Sequence, residues 1–238
     1  MWSRKELKAQ GKAAFRLNYW KCVIVSIILS MLTAATATVS YNQQLQQNQE
    51  QQAQNLLQQI QSMPQQQQIA LAAGVAGGLT IIIIVSILLK IFVYNPLLVG
   101  CYSFFTKNVQ DGPADLGSLS VGFRDYGHTF VTLFLRDLFI ALWTCLFIIP
   151  GIIKSFSYRL VPYIIADHPE LSATETLALS KNMMYGNKWK AFVLDLSFIG
   201  WILLSVLTLG LVGIFWYEPY QNNTDAALYL AIKEEYNR

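Results

Sequence analysis

The sequence has few charged residues and few cysteines for its length. Of its 238 residues, 13% are Asp, Glu, Lys or Arg, whereas a soluble domain carries about 25%. The apolar residues make up 54% and lie in long blocks, which is typical of an integral membrane protein. The three cysteines form no CxxC or Cys/His pair, so we expect neither a disulfide framework nor a metal site. A net charge of +3 is too small for a nucleic-acid surface.

The apolar blocks predict an all-α, polytopic membrane protein that forms a single membrane domain over residues 1–238. Pro150-Gly151 and Gly210 are expected to form turns within two hairpins. The short arms 152–166 and 211–232 leave four or five spans open as alternatives. Six spans are the preferred prediction, at residues 22–39, 69–93, 129–149, 152–166, 189–209 and 211–232.

Basic residues outside these spans predict the orientation of the chain. The N-terminal segment has six of them, residues 106–128 have two, residues 167–190 have three and the C-terminal tail has two, which makes thirteen. Residues 41–68 have none. The positive-inside rule therefore places both termini and both connecting segments, 106–128 and 167–188, in the cytoplasm. A cleaved signal peptide ending near residues 35–37 is the alternative, but the apolar stretch is longer than a typical signal.

Residues 1–19 and 41–68 are expected to lie outside the bilayer core. Ser3 and Glu6 have the spacing of a capping box, so residues 1–19 predict a basic amphipathic helix on an anionic membrane surface. Fifteen of the 28 residues from 41 to 68 are Gln. This Gln-rich segment predicts an extracytoplasmic loop, either a solvated spacer or a contact surface for a partner.

The hairpins also resemble one another. Asp137 and Trp143 correspond to Asp195 and Trp201 at one offset of 58 residues. Ser172 and Glu175 form a second capping box before the last hairpin. We therefore predict three repeats, each an amphipathic surface helix followed by a transmembrane hairpin.

Three segments carry a resemblance to a known family: RKELKAQGKAAFRLNYWK, IPGIIKSFSYRLVPYIIADHPELSATETLALSKNMMYGNKWKAFVLDLSFIGWILL and WYEPYQNNTDAALY. They resemble the bacterial integral-membrane family catalogued as domain of unknown function 975. The resemblance implies a multi-span protein of the bacterial cytoplasmic membrane, and it implies no activity. The Gln-rich loop departs from the compact pattern expected of that family.

Charged residues within the apolar spans are the best site candidates, because each is costly in hydrocarbon unless it is paired or hydrated. An ion pair between Asp137 and either Arg159 or Lys154 is expected from their similar depths. Lys90 could meet an aspartate or extend to the interface. The candidate polar site consists of Asp137, Asp195, Arg159, Lys154, Arg136 and Lys90.

Catalysis has little support in the sequence. No HExxH, GxSxG, P-loop or GxGxxG motif occurs, so we expect no enzyme and no cofactor. Asp167, His168 and Glu170 could hold a metal, but a helix boundary is the preferred interpretation. The leading hypothesis is a non-enzymatic accessory or scaffold protein. Its expected partners are a lipid bilayer with anionic headgroups and a membrane protein. The alternative is a small transporter or lipid-handling protein whose charged site lies between the hairpin repeats.

Overall fold

The computed structural model describes residues 2–34 and 64–238, and the regular structure in these ranges is helical, without a β-strand. This confirms the all-α prediction. The chain divides into two compact units, one of Met1–Leu32 and Ile91–Arg238 and one of Thr33–Lys90. The described α-helices are α1 (Arg4–Leu17), α2 (Tyr19–Ala34), α3 (Gln65–Leu89), α4 (Asn95–Gln110), α5 (Tyr126–Leu146), α6 (Ile148–Ser157), α7 (Val161–Asp167), α8 (Ala173–Met183), α9 (Lys188–Leu196), α10 (Ile199–Leu207) and α11 (Glu218–Tyr236).

Both predicted capping boxes are confirmed. Ser3 caps α1, with its hydroxyl accepting from the Glu6 backbone and the Glu6 carboxylate accepting from the Ser3 backbone. Ser172 and Glu175 cap α8 in the same way. The predicted Gln-rich loop lies outside the described residues as far as residue 63, whereas residues 65–68 form the start of α3.

Four described helical segments are long and apolar enough to cross a membrane: Ala73–Gln110, Tyr126–Leu146, Ile148–Asp167 and Lys188–Leu207. A fifth is possible if α1 and α2, which are bent by 107° at their junction, form one span. The prediction of six spans is therefore not confirmed. The predicted span 211–232 is not among these candidates because most of it is α11, which contains several polar side chains.

Helix α11 lies in the core of the larger unit. Ala226, Leu228 and Tyr229 are completely buried, and the helix packs against α1 and α4. Helix α1 turns its apolar side inward, so Leu7 and Phe15 are buried as well. These apolar side chains of α1 are thus covered by protein. Its exposed residues are mostly basic or polar, and Leu17 at its end is exposed as well.

The turn predicted at Pro150-Gly151 lies earlier in the chain. Phe147 has an extended backbone (φ −154°, ψ 136°) and separates α5 from α6. Pro150 stands in the first turn of α6, where a missing N–H removes no intrahelical hydrogen bond. Gly151 faces Thr144 so closely that a Cβ atom would collide with it. The turn at Gly210 is confirmed, since its φ of 88° lies in the left-handed region.

Two short π-helical segments interrupt the α-helical pattern. They are Lys90–Tyr94, directly before α4, and Gly213–Tyr217, directly before α11. Each following helix has a proline as its second residue, Pro96 and Pro219. Helix α7 also has a proline, Pro162, at its second position. Proline is favoured in a first helical turn because its φ suits the helix and its missing N–H is not needed there.

Candidate functional site

An arginine at a helix break is the centre of the main charged cluster. Helix α6 ends at Ser157, and α7 begins at Val161 with Pro162 in its first turn. Arg159 therefore lies in the interruption of the apolar segment Ile148–Asp167. The break directs its side chain toward α9 and α11, which supply its two carboxylate partners, Asp195 and Asp225.

The geometry of this cluster is that of a shared ion pair. Arg159 Nη1 donates to Asp195 Oδ2 at 2.6 Å, and Nη2 donates to Asp195 Oδ1 at 2.8 Å. Nη2 also donates to Asp225 Oδ1 at 2.8 Å. The side chains of Arg159, Asp195 and Asp225 are only 19%, 31% and 18% exposed. With all three groups ionised, the Arg159 cluster (Arg159, Asp195 and Asp225) carries a net charge of −1.

This arrangement corrects the predicted pairing of Asp137 with Arg159 or Lys154. Asp137 pairs with the adjacent Arg136, whose Nε and Nη2 donate to Asp137 Oδ1 at 2.9 and 2.7 Å. Lys154 Nζ lies 4.8 Å from the centre of the Trp143 ring. Lys90 is exposed and belongs to the smaller unit. Of the six predicted site residues, the structure thus brings Arg159 together with Asp195 and Arg136 together with Asp137.

Asp225 is the member of the Arg159 cluster that the sequence analysis missed. Asp225 lies within the predicted span 211–232. It therefore met the criterion used for the other candidate site residues, which is a charged side chain within an apolar span. Glu218 in the same predicted span was missed too, and it accepts a hydrogen bond from Ser30 of α2. A complete search of the predicted spans for charges identifies both residues.

Three tyrosines in contact one after another, Tyr102, Tyr163 and Tyr229, adjoin the Arg159 cluster. Tyr163 of α7 stacks on Tyr229 of α11 at a centroid distance of 5.0 Å, and Tyr102 of α4 meets Tyr163 edge-on at 4.7 Å. The Tyr229 hydroxyl donates to Asp167 Oδ2 at 2.6 Å. Lys233 pairs with the same carboxylate. These contacts fix α11 to the end of α7, one helical turn beyond Asp225.

A second polar cluster, of three asparagines, lies in the core of the larger unit. Asn18 stands between α1 and α2, Asn108 in α4 and Asn223 in α11, and all three are buried. Asn108 Nδ2 donates to Asn223 Oδ1 at 2.7 Å, and Asn108 Oδ1 accepts from Asn18 Nδ2 at 2.9 Å. Asn18 also donates to the Ala114 carbonyl at 2.9 Å, and Asn223 to the Pro219 carbonyl at 2.7 Å. The asparagine cluster therefore joins three helices through bonds that buried amides require.

The residues considered for a metal site are engaged in other contacts. Asp167 binds Tyr229 and Lys233, while His168 Nδ1 lies 3.0 Å from Glu170 Oε1. Within residues 2–34 and 64–238, no group of three or more His, Cys, Asp or Glu is placed to hold a metal ion.

Three surface cavities stand apart from the Arg159 cluster. One of about 460 Å³ is lined by the start of α1 and by α9. One of about 210 Å³ lies between α1 and the end of α11, and one of about 230 Å³ between α8 and the end of α11. Their linings include neither Arg159 nor Asp195 nor Asp225.

The part of the chain that holds the Arg159 cluster is similar to a known family. Residues 146–236 match the family described as "Protein of unknown function (DUF975)". The match covers less than half of the chain and agrees with the resemblance seen in the sequence. It includes all three members of the Arg159 cluster. Neither a search of curated proteins nor one of solved structures returns a match.

Proposed function

We propose that this chain is a non-enzymatic, multi-span accessory or scaffold protein of the bacterial cytoplasmic membrane. The observation that carries the proposal is the Arg159 cluster, in which charged groups of α9 and α11 bind one arginine between α6 and α7. A charge in a membrane protein is retained when it is paired or when it serves a pathway. Here Arg159 is paired with one carboxylate from each of two other helices, which favours a role in holding helices together.

The asparagine cluster supports the same role. Asn108 and Asn223 are almost completely buried, and their amides bond to one another and to backbone carbonyls. Buried amides with complete hydrogen bonding make a core rigid and specify one packing arrangement. A rigid helical unit with basic residues on its surface is suited to a scaffold protein, which acts by binding partners.

We also propose the finer topology: six spans in three repeats, with both termini in the cytoplasm. The excess of basic residues outside the predicted spans supports this orientation. The two π-helical segments support the repeats, since each precedes a helix with proline at its second position. Because Asn223 and Asp225 of α11 bond inside the protein, to the Pro219 carbonyl and to Arg159, such a helix is compatible with a span despite its composition.

A transporter or lipid-handling protein is the second candidate. It is favoured by the unequal number of charges in the Arg159 cluster, where two carboxylates face one guanidinium. A cation or a proton that bound there would complete the neutralisation. The site would then lie between the hairpin repeats, as proposed for the alternative function.

Purification from native membranes in nanodiscs tests the proposal. A protein partner that co-purifies in stoichiometric amount, identified by mass spectrometry, supports an accessory role. Flux measurements in liposomes provide the opposing test, with Asp225→Asn compared to the matched change Asp137→Asn in the Arg136–Asp137 pair, whose carboxylate side chain is 47% exposed. Cation or lipid movement that Asp225→Asn abolishes at normal folded yield, and that Asp137→Asn leaves intact, contradicts the scaffold role and supports transport.

A further inference from the structure

The largest of the three cavities lies between two helix starts that are far apart in the sequence. Its volume is about 460 Å³, which is within the range of small-molecule sites, about 300–1,000 Å³. The start of α1 forms one wall and the first turns of α9 form the other. Its lining residues are Trp2, Ser3, Arg4, Lys5, Trp189, Lys190 and Val193.

The charge around this cavity is of one sign. Arg4, Lys5 and Lys190 line it, and no acidic residue does. Among the described residues none of these three takes part in an ion pair. The nearby Glu6 binds the Ser3 backbone in the capping box and lines a different cavity. Three cations without acidic partners are complementary to an anion with several oxygen atoms.

Two tryptophans give this cavity an apolar side. The Trp2 indole donates through Nε1 to Asn187 Oδ1 at 3.1 Å, which fixes its ring against the start of α9. Lys190 Nζ lies 5.7 Å from the centre of that ring. Trp189 is 73% exposed. Tryptophan is enriched at the boundary between headgroups and hydrocarbon, where one part of the ring is apolar and its N–H is hydrated.

The position of the cavity indicates the source of the anion. Trp189 and Lys190 are the second and third residues of Lys188–Leu207, a segment apolar enough to cross a membrane. The cavity therefore lies where such a segment leaves the hydrocarbon, at the depth of lipid phosphates. We propose that it binds the phosphate-bearing headgroup of an anionic phospholipid, with Arg4, Lys5 and Lys190 on the phosphate and the two indoles beside the glycerol. This inference rests on the proposed membrane location of the protein. It adds a specific binding site to the general attraction between the protein's basic residues and anionic lipid.

Lipid retention by the purified full-length protein tests the site. The protein is reconstituted in mixtures of phosphatidylglycerol and phosphatidylcholine, extracted in mild detergent and examined by native mass spectrometry for bound lipid. We expect retained phosphatidylglycerol in excess of its share of the mixture. Retention of both lipids in proportion to the mixture overturns the proposal without any variant. Saturable binding of inorganic phosphate that competes with no lipid also overturns it, in favour of a soluble anion.

Two kinds of variant locate the binding. The first, Arg4→Gln/Lys5→Gln/Lys190→Gln, removes the three cations, and its matched control, Lys12→Gln/Arg16→Gln/Lys181→Gln, removes three exposed cations elsewhere. Because one basic residue near an anionic surface contributes about fivefold to affinity, we expect the cavity variant to lose at least about tenfold more phosphatidylglycerol than the control. Equal losses contradict a specific site.

The second variant, Val193→Phe, fills the cavity and leaves the net charge unchanged. We expect it to lower phosphatidylglycerol retention while the protein still floats with liposomes. Full retention in this variant places the lipid elsewhere and overturns the proposal. Flotation with liposomes of neutral lipid distinguishes the two proposals: if the wild-type protein does not float, the membrane location has failed, whereas flotation without headgroup preference refutes only the site.

Discussion

Replacing Arg159 by methionine tests whether the Arg159 cluster holds the helices together. Methionine keeps much of the length of the side chain but removes three charged hydrogen bonds, of 2.6, 2.8 and 2.8 Å. Asp195 and Asp225 then lose their cation while 31% and 18% exposed. Removing one member of a buried pair costs about 3–5 kcal/mol because the other remains charged and unpaired.

The expected result is a large drop in the thermal stability of the purified protein. For a chain of this size 1 kcal/mol corresponds to about 2–4 °C, so the apparent melting temperature of Arg159→Met should fall by about 6–20 °C. Thermal unfolding in detergent, followed by loss of monodisperse protein in size-exclusion chromatography, measures it. The matched control is Arg136→Met: the Arg136 side chain is as buried as that of Arg159, but among the described residues it pairs with one carboxylate, that of the adjacent, half-exposed Asp137. Its effect should be smaller than that of Arg159→Met, because less buried charge is left unpaired.

A combined variant sharpens the test. In Arg159→Met/Asp195→Asn/Asp225→Asn the carboxylates are neutral, so no unpaired charge remains. Its melting temperature should therefore lie above that of Arg159→Met alone, since the three effects are coupled. A melting temperature of Arg159→Met equal to the wild type, or a triple variant less stable than the single one, refutes the reasoning.

Three further predictions concern other parts of the structure. Asn108→Ala should lower stability by about 2–4 kcal/mol, because Asn223 and the Ala114 N–H lose buried hydrogen-bond partners; denaturation of the purified protein measures it, and a change below 0.5 kcal/mol argues against the asparagine cluster. Gly122→Ala should reduce folded yield, since a Cβ there collides with the Pro96 carbonyl, whereas Gly200→Ala, with open space around it, should be neutral or stabilising; the reverse order contradicts the described packing. The pKa of the Glu175 carboxyl lies below its ordinary value because the Ser172 hydroxyl and backbone N–H donate to it. Its support of the cap is therefore present above the ordinary pKa of glutamate and is lost as the pH falls through the lowered value. In Ser172→Ala an NMR titration should show this pKa moved upward, and an unchanged titration excludes the hydroxyl as the main cause.

Local signals in the sequence predict the ends of elements well. The capping boxes at Ser3 and Ser172 depend on residues three positions apart, so the sequence alone identifies them. The turn at Gly210 follows from the freedom of glycine to adopt a positive φ. Pro150 misleads, because proline is also favoured within the first turn of a helix, and there it signals a start rather than a turn.

Contacts between side chains of different helices cannot be predicted from local sequence signals in the same way. The sequence identifies Arg159 and Asp195 as charges in apolar segments, but which carboxylate faces Arg159 depends on the rotation of α9 and α11 about their axes. The break between α6 and α7 also changes the direction of the Arg159 side chain. The asparagine cluster joins residues from positions 18, 108 and 223, and no local pattern links them.

The π-helical segment Gly213–Tyr217 determines the direction in which each side chain of α11 points around the helix axis. A π turn accommodates one residue more than an α turn, and one residue corresponds to about 100° of rotation about the helix axis. If this segment lost a residue and became α-helical, α11 would rotate, and Asn223 on one face and Asp225 and Tyr229 on another would all turn away from their present partners. Three buried interactions on one helix thus depend on a single extra residue, and a one-residue deletion between 213 and 217 would remove all of them together.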